Sequence, residues 1–131
     1  MSEANVALVR AIYEAWATGR SAGDFIDPEV EYVNPPDAVE PGVRIGRRAF
    51  AEIRSSYEDV QIEPQEYIDT AGEDVVVIAR VRGRGRGSGL PVDWRHGYIW
   101  TVRDGQAVRF RWFNQPQEAL AAAGLRERPA H

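Results

Sequence analysis

Residues 101–125 read TVRDGQAVRFRWFNQPQEALAAAGL and contain the strongest local signals in the chain. Polar and apolar residues alternate on both sides of Asp104-Gly105, and this dipeptide between two such runs is typical of a β-hairpin. Pro116 then favours the start of a short helix, and Gly124 favours its end. The segment therefore predicts two antiparallel strands followed by a helix.

Alternation of the same kind extends upstream of this hairpin. Gly72 and the GRGSG of residues 85–89 interrupt it at two points where turns are favoured. We therefore predict four consecutive strands, at residues 60–70, 73–84, 91–103 and 106–114.

The N-terminal half shows helical spacing instead. Val9, Ile12, Tyr13 and Trp16 fall at i, i+3, i+4 and i+7, which places them on one face of a helix over residues 3–18. The following residues predict a very short helix that is capped by Ser21 and carries Phe25 and Ile26. Asp27-Pro28 is expected to end that helix. A strand at residues 29–34, a proline-rich loop at residues 35–46 and a helix at residues 47–57 are expected to follow.

Helices that precede a mostly antiparallel sheet indicate an α+β fold. A length of 131 residues suits one domain over residues 1–131, with a core at residues 3–125 and a tail at residues 126–131. The composition, 44% hydrophobic and 27% charged, is that of a globular protein.

The charged and metal-binding residue types exclude several functions. All 16 basic residues are arginine and the net charge is -4, which argues against a generally basic nucleic-acid binder. The chain has no cysteine, so disulfides, thiolate nucleophiles and cysteine-ligated metals are excluded. The only imidazoles are His96 and His131, so we expect no metal site and no cofactor. With no targeting signal or long apolar segment, we expect a cytoplasmic protein that does not bind membranes.

Strand alternation divides the sheet into an aromatic face and an arginine face. The aromatic face carries Trp94, His96, Tyr98, Trp100, Phe110 and Trp112. The arginine face carries Arg80, Arg82, Arg84, Arg86, Arg95, Arg103, Arg109 and Arg111. We expect the helices to cover the aromatic face, whose tryptophans either line a cavity or fill the interior. We expect the arginines to pair with Asp93, Glu63, Glu66 and Asp69, or to face a second copy of the chain.

Three segments make the chain resemble the cone-shaped nuclear-transport-factor-2-like fold, with helices packed on a strongly bent sheet. They are VRAIYEAWATG (residues 9–19), GRRAFAEI (residues 46–53) and the tail at residues 101–125. Within that fold the chain resembles the SnoaL-like branch, which includes ketosteroid isomerases and limonene epoxide hydrolase. The resemblance implies a pocket on the aromatic face for a hydrophobic small molecule and a homodimer formed through the outer sheet face.

The chain departs from the catalytic patterns of these relatives. Tyr32-Val33-Asn34 matches the Tyr-x-Asn pair of limonene epoxide hydrolases, and Arg80 matches their arginine. Their two acids are replaced here by Arg82 and Trp112, which leaves the attacking water without a base. Ketosteroid isomerases use an aspartate before a proline, and this chain has Asn34 there.

His96 is the sharpest catalytic candidate, because an imidazole among aromatic residues can act as a general acid or base near neutral pH. The alternative is a core histidine satisfied by a hydrogen bond. Tyr32 and Asn34 would position a carbonyl or a water, or else Tyr32 is a core tyrosine. The expected substrate-binding residues are Tyr13, Trp16, Trp94, Tyr98, Trp100, Trp112, Asn114 and Asp37.

Asn114 and Asp37 each have a simpler alternative. Asn114 would orient His96 or substrate, or would only end a strand, and Asp37 would be a displaced base or only a turn residue. The favoured function is an isomerase, cyclase or dehydratase acting on a hydrophobic carbonyl or polyketide-like compound. The alternatives are a non-catalytic ligand-binding or dimeric accessory protein and, more remotely, RNA binding through the RVRGRGRGSG of residues 80–89.

Overall fold

The computed structural model describes residues 2–38, 41–54 and 57–125. The elements in chain order are α1 (Ser2–Ala17), a 3-10 turn (Gly23–Phe25), β1 (Ile26–Asn34), β2 (Gly42–Ile45), α2 (Arg48–Arg54), β3 (Tyr57–Asp69), β4 (Asp74–Gly85), β5 (Pro91–Arg103), β6 (Gln106–Phe113) and α3 (Pro116–Ala122). The predicted α+β class is confirmed. No helix in the described ranges is long and apolar enough to cross a membrane.

All six strands form one sheet in the order β2-β1-β6-β5-β4-β3. Only the β1–β6 pair is parallel. The predicted hairpin joins β5 to β6, with positive φ at Asp104 (52°) and Gly105 (77°), as a two-residue turn between twisted strands requires. In this register Trp100 lies opposite Phe110, and Tyr98 lies opposite Trp112.

The region between β1 and β3 differs from the sequence prediction. Residues 42–45 form a strand inside the predicted loop, where Arg44 lies opposite Tyr32 of β1. A short edge strand is stabilised by pairing with a neighbouring strand from another part of the chain, and the local sequence does not reveal that pairing. The predicted helix at residues 47–57 was too long, because α2 ends at Arg54 and Tyr57 already pairs with Gly85.

The beginning of β1 also corrects the prediction. Ile26 is extended and starts the strand instead of ending a helix, so the preceding helix is a single 3-10 turn. Asp27-Pro28 therefore does not end a helix. Pro28 lies where the pairing with β6 shifts register, which is where a strand tolerates proline. Ser21 does not cap the turn as predicted, because the N-cap position is Ala22. Ser21 Oγ instead accepts a local hydrogen bond from Gly23 N at 3.1 Å.

The main core lies between α1 and the aromatic face of the sheet. Val9, Ile12 and Tyr13 of α1 are buried and Trp16 is half-buried, as their spacing predicted. They pack with the inward side chains of β4, β5 and β6. Helical spacing over residues 47–57 also puts Phe50, Ile53 and Tyr57 on one face, toward this core. The side chains of Ile53 and Tyr57 lie outside the described part of the chain.

A second core lies on the opposite face and corrects the picture of one continuous arginine surface. Val76, Ile78 and Ile99 lie on the same face of the sheet as the arginines. They are buried there in contact with α3, which contributes residues such as Leu120 to the cluster. Gly97 permits this close packing, because a Cβ there would lie 2.6 Å from the Cβ of Ala119. The outer face is therefore apolar under α3 and charged only beyond it.

Most arginines beyond α3 bind acids of the same chain. Asp93 accepts two hydrogen bonds from Arg80, at 2.9 and 2.7 Å, as its parity predicted. The other ion pairs are Arg82–Glu63, Arg86–Glu58, Arg103–Glu73, Arg109–Glu31 and Arg111–Asp74. Bonding between Arg103 and Glu73 lowers the pKa of that carboxyl group.

Asp69 differs from this pattern. A register shift between Pro64 and Glu66 moves it out of the arginine face, and its carboxylate accepts a hydrogen bond from the backbone of Ala71 at 2.7 Å. The RVRGRGRGSG segment at residues 80–89 is mainly the end of β4 and the turn after it, with three of its arginines paired to acids. RNA binding through that segment stays a prediction, which an RNA titration at low and high salt would test.

Candidate functional site

His96 lies on the aromatic face of β5 between two indole rings. Its ring is stacked on Trp94, with centroids 5.6 Å apart and planes 15° apart, and its centroid is 5.7 Å from that of Trp112. Burial lowers the pKa of the imidazole. His96 is therefore neutral near pH 7, which leaves one of its ring nitrogens without a proton.

The Tyr98 side chain contacts the His96 ring through its hydroxyl group. The tyrosine hydroxyl lies 3.2 Å from His96 Nδ1, within hydrogen-bonding distance. Burial raises the pKa of Tyr98, so its hydroxyl stays protonated. His96 Nε2 has no hydrogen-bond partner among the described residues. One imidazole nitrogen is thus fixed and the other is available for chemistry.

Two further hydrogen bonds connect β6 to the end of β1 and to the proline-rich loop. Trp112 Nε1 donates to Asn34 Oδ1 at 2.7 Å. Asn114 Nδ2 donates to Asp37 Oδ2 at 3.0 Å. We call the residues gathered here the His96 cluster: Asn34, Asp37, Trp94, His96, Tyr98, Trp112 and Asn114. The structure thus brings together seven of the predicted site residues from β1, β5, β6 and the loop.

Tyr32 and Tyr13 lie deeper than the cluster. Tyr32 is only 5% exposed and packs against Phe50 and Phe110, at centroid distances of 5.0 and 5.1 Å. The Tyr13 hydroxyl accepts a hydrogen bond from Trp100 Nε1 at 2.9 Å. Burial raises the pKa of both tyrosines. Both are neutral core residues in this conformation.

The space between the helices and the sheet is filled by rings. The row begins at Trp16 and continues through Trp100, Phe110 and Tyr98 to His96, with successive centroids 6.0, 4.6, 5.2 and 5.9 Å apart. Of the two possibilities for the tryptophans, Trp100 fills the interior and is 0% exposed. Trp94, 39% exposed, and the half-buried Trp112 flank an accessible surface instead.

Among the residues that the structure describes, no three histidine, cysteine, aspartate or glutamate side chains are placed to hold a metal ion. Among the described residues, His96 contacts the rings of Trp94, Tyr98 and Trp112 and the hydroxyl of Tyr98. The chemistry open to the cluster is therefore proton transfer, hydrogen bonding and aromatic stacking.

Sequence reasoning missed a surface cleft of about 540 Å³ between the end of α1, the 3-10 turn and α2. Trp16 and Phe50 contribute to its lining together with Arg20 and Arg47. Both arginines lie outside the predicted strands, so the division of strand residues between the two sheet faces did not include them. The available signal was an arginine two residues after the predicted end of one helix, Arg20, and an arginine at the predicted start of another, Arg47.

A sequence profile of the SnoaL-like domain matches residues 9–110. The chain belongs to the SnoaL-like family. This confirms the resemblance that the opening helix, the GRRAFAEI segment and the C-terminal hairpin indicated. Comparison with curated proteins found no match.

Solved structures with similar folds agree with this assignment. An NTF2-like protein of unknown function from Burkholderia pseudomallei is 24% identical, with a TM-score of 0.72 over 92% of this chain and 97% of the other. A putative SnoaL-like polyketide cyclase from Jannaschia sp. CCS1 is 17% identical, with a TM-score of 0.72 over 97% and 96%. TerC, crystallised with polyporic acid, is 20% identical, with a TM-score of 0.70 over 92% and 98%. At these identities the likeness establishes the NTF2-like fold of this SnoaL-like protein and nothing more specific.

Proposed function

We propose that this SnoaL-like protein binds a largely apolar carbonyl compound with a ring or double bond at the His96 cluster. It would isomerise, cyclise or dehydrate that compound by general acid–base catalysis. The observation that carries the proposal is a half-buried imidazole between two indoles, with one nitrogen within hydrogen-bonding distance of the Tyr98 hydroxyl and the other without a hydrogen-bond partner among the described residues. The polyketide cyclase and the polyporic acid complex among the similar folds support the ligand class.

Proton transfer would proceed through His96 Nε2. In the tautomer with hydrogen on Nδ1, that N–H donates to the Tyr98 hydroxyl oxygen and the Nε2 lone pair faces the ligand. Nε2 then takes a proton from a carbon next to the carbonyl, so that a C–H bond breaks and an N–H bond forms. The same proton returns to another atom of the substrate, which completes an isomerisation without a cofactor.

The rest of the cluster would stabilise the charges that develop. The imidazolium formed during the reaction lies against the π faces of Trp94 and Trp112, which favour a cation. Asn34 uses its amide oxygen to accept from Trp112, so its NH₂ group is left to donate to the enolate oxygen. Tyr32 lies too deep for direct contact, and we assign it to the support of Asn34 from below.

Asn114 and Asp37 would hold the proline-rich loop beside the ligand through their hydrogen bond. Trp16, Tyr13 and Trp100 would contribute from the interior as the packed base of the aromatic row. In this arrangement Trp94, Trp112 and Tyr98 are the ligand-facing aromatic residues.

The first prediction concerns hydrogen exchange at carbon. With 2-tetralone in D₂O, the wild-type protein should accelerate exchange of the protons next to the carbonyl, and His96→Gln should lower that rate by about 10²–10⁴-fold, the usual contribution of a general base. Proton NMR measures the exchange directly. His131→Gln is the matched control and should behave as wild type. Equal exchange rates in wild type and His96→Gln, with 2-tetralone bound to both, would rule out His96 as the base.

The second prediction concerns the stability of the protein against pH. Burial lowers the pKa of His96 in the folded state below its value in the unfolded chain. On acidification the unfolded state therefore binds a proton before the folded state does, and stability is lost as the pH falls through about 6.5 and below. Urea unfolding at several pH values should show a smaller loss for His96→Phe than for wild type. Identical pH dependence would mean that His96 titrates as an exposed histidine.

A non-catalytic ligand-binding or accessory protein is the second candidate, and the filled interior favours it. In the described residues no carboxylate contacts His96, and the aromatic row occupies the space where a deep substrate pocket would lie. A protein of this kind would bind 2-tetralone without exchanging its protons. The homodimer through the outer sheet face stays a prediction as well, and analytical ultracentrifugation would test it.

A further inference from the structure

The cleft at the end of α1 shares no described lining residue with the His96 cluster. Its lining includes Ile26, the first residue of β1, whereas the cluster includes Asn34, the last residue of that strand. Ile26 lies opposite Ala107 and Val33 lies opposite Arg111, four residues further along β6, so at about 3.3 Å per residue the two places are separated by about 13 Å along the sheet. Trp100, Phe110 and Tyr98 lie between Trp16 of the cleft and His96, so a ligand in the cleft would not contact His96.

The cleft combines an apolar floor with two cationic side chains. The floor is formed by Trp16 and Phe50, whose ring centroids are 5.5 Å apart, together with Ile26. Arg20 and Arg47 stand at its exposed rim. Among the described residues, no aspartate or glutamate contributes to the lining. Its volume of about 540 Å³ falls within the usual range for small-molecule sites.

Each of the two guanidinium groups is held in place by one hydrogen bond, which its own Nε donates. Arg47 Nε donates to the backbone oxygen of Ile26 at 2.8 Å, and Arg20 Nε donates to Thr18 Oγ1 at 2.9 Å. Neither arginine has a carboxylate partner in the described ranges, in contrast to the arginines of the outer sheet face. Their terminal nitrogens are therefore available to bind an anion with two parallel hydrogen bonds.

The segment between α1 and β1 leaves room for the charged groups. A Cβ at Gly23 would lie 3.7 Å from Arg47 Nη1 and 3.3 Å from Ser21 Oγ, so a larger side chain there would press on both. Ser21 Oγ accepts from Gly23 N, which leaves its hydroxyl hydrogen to donate to a ligand. Two of the donors at the rim, the Ser21 hydroxyl and Arg47 Nη1, thus lie close to the same point beside Gly23.

We infer that this cleft is a second ligand site, for an organic carboxylate with an apolar ring or chain. The carboxylate would bind to Arg20 and Arg47, and the apolar body would lie against Trp16 and Phe50. The site is independent of the chemistry proposed for His96, since neither of its charged residues belongs to the His96 cluster.

The test is a titration with 2-naphthoate, with 2-naphthalenemethanol as the neutral probe of similar shape. The naphthoate should bind at least about tenfold more tightly than the alcohol, since a charge-assisted hydrogen bond contributes more than a neutral one. Its affinity should fall with added salt. In ¹H–¹⁵N NMR spectra the indole signal of Trp16 should shift, and those of Trp94 and Trp112 should not.

Variants locate the carboxylate. Arg20→Gln and Arg47→Gln should each weaken naphthoate binding by about tenfold and leave binding of the alcohol unchanged. Arg48→Gln is the matched control, because Arg48 is an exposed neighbour of Arg47 outside the lining. Arg20→Gln removes only a local bond to Thr18, so it tests the site even if Arg47→Gln loosens the contact with β1.

Wild-type affinity in the double variant, or equal affinity of the wild type for naphthoate and alcohol, would overturn the inference. His96→Gln should bind naphthoate as the wild type does. If it does not, naphthoate occupies the His96 cluster, and the inference fails without any consequence for the proposed chemistry of His96.

Discussion

Replacing Trp100 by alanine is expected to lower the free energy of unfolding by about 3–5 kcal/mol, the usual cost of removing a large buried aromatic side chain. Trp100 is 0% exposed, stacks on Phe50 with planes 4° apart and has its ring centroid 4.6 Å from that of Phe110. Its loss also leaves the Tyr13 hydroxyl without the indole N–H that it accepts from. Urea unfolding followed by circular dichroism measures the change.

Trp94→Ala is the matched control for that experiment. Trp94 lies on the same strand and the same face as Trp100 but is 39% exposed. We expect it to cost clearly less stability than Trp100→Ala, because much of its surface stays in contact with water in the folded state. If the two variants lost equal stability, the packed interior described here would be wrong and Trp100 would line an open space.

Gly97→Ala is expected to cost about 1–3 kcal/mol, as overpacking of a well-filled core does. The new Cβ would lie 2.6 Å from the Cβ of Ala119 and 3.1 Å from the Cα of Pro116, so α3 would have to move away from β5. Hydrogen exchange should then show faster opening of α3 while the aromatic row stays protected. The measurement is urea unfolding together with amide exchange.

The control for Gly97 is a second substitution that restores space. In the background of Gly97→Ala, the change Ala119→Gly should cost less stability than it does in the wild type, because it removes the nearer clash. Additive losses of stability, or a Gly97→Ala protein as stable as the wild type, would mean that α3 does not pack on β5 as closely as the structure indicates.

Sequence alone predicted the parts of the fold that depend on local patterns. The spacing of Val9, Ile12 and Tyr13 determines which face of α1 is buried, and Asp104-Gly105 determines the last hairpin. Both signals act within a few residues. The strand β2 was missed because its stability comes from pairing with β1, and its four residues contain no pattern that predicts this pairing.

Strand alternation predicted which residues share the face of the candidate site. The structure then showed that some of them are buried in the core and others are exposed. Alternation places Trp94, His96 and Trp100 on one face of β5, but it does not say where along the strand the helices stop covering that face. Trp100 lies under α1 and α2 and is buried, whereas Trp94 lies beyond them. The cleft at the end of α1 was missed because two stretches that are distant in sequence, residues 16–26 and 47–51, form it.

The most direct test of the proposed site uses the four tryptophans as reporters of where a ligand binds. Their indole N–H signals in ¹H–¹⁵N NMR spectra are assigned by single Trp→Phe variants, and 2-tetralone is then added. The account predicts shifts at Trp94 and Trp112, which flank His96, and no direct shift at the buried Trp100. Shifts confined to Trp16 or Trp100, or no shift at any indole, would contradict a ligand site at His96.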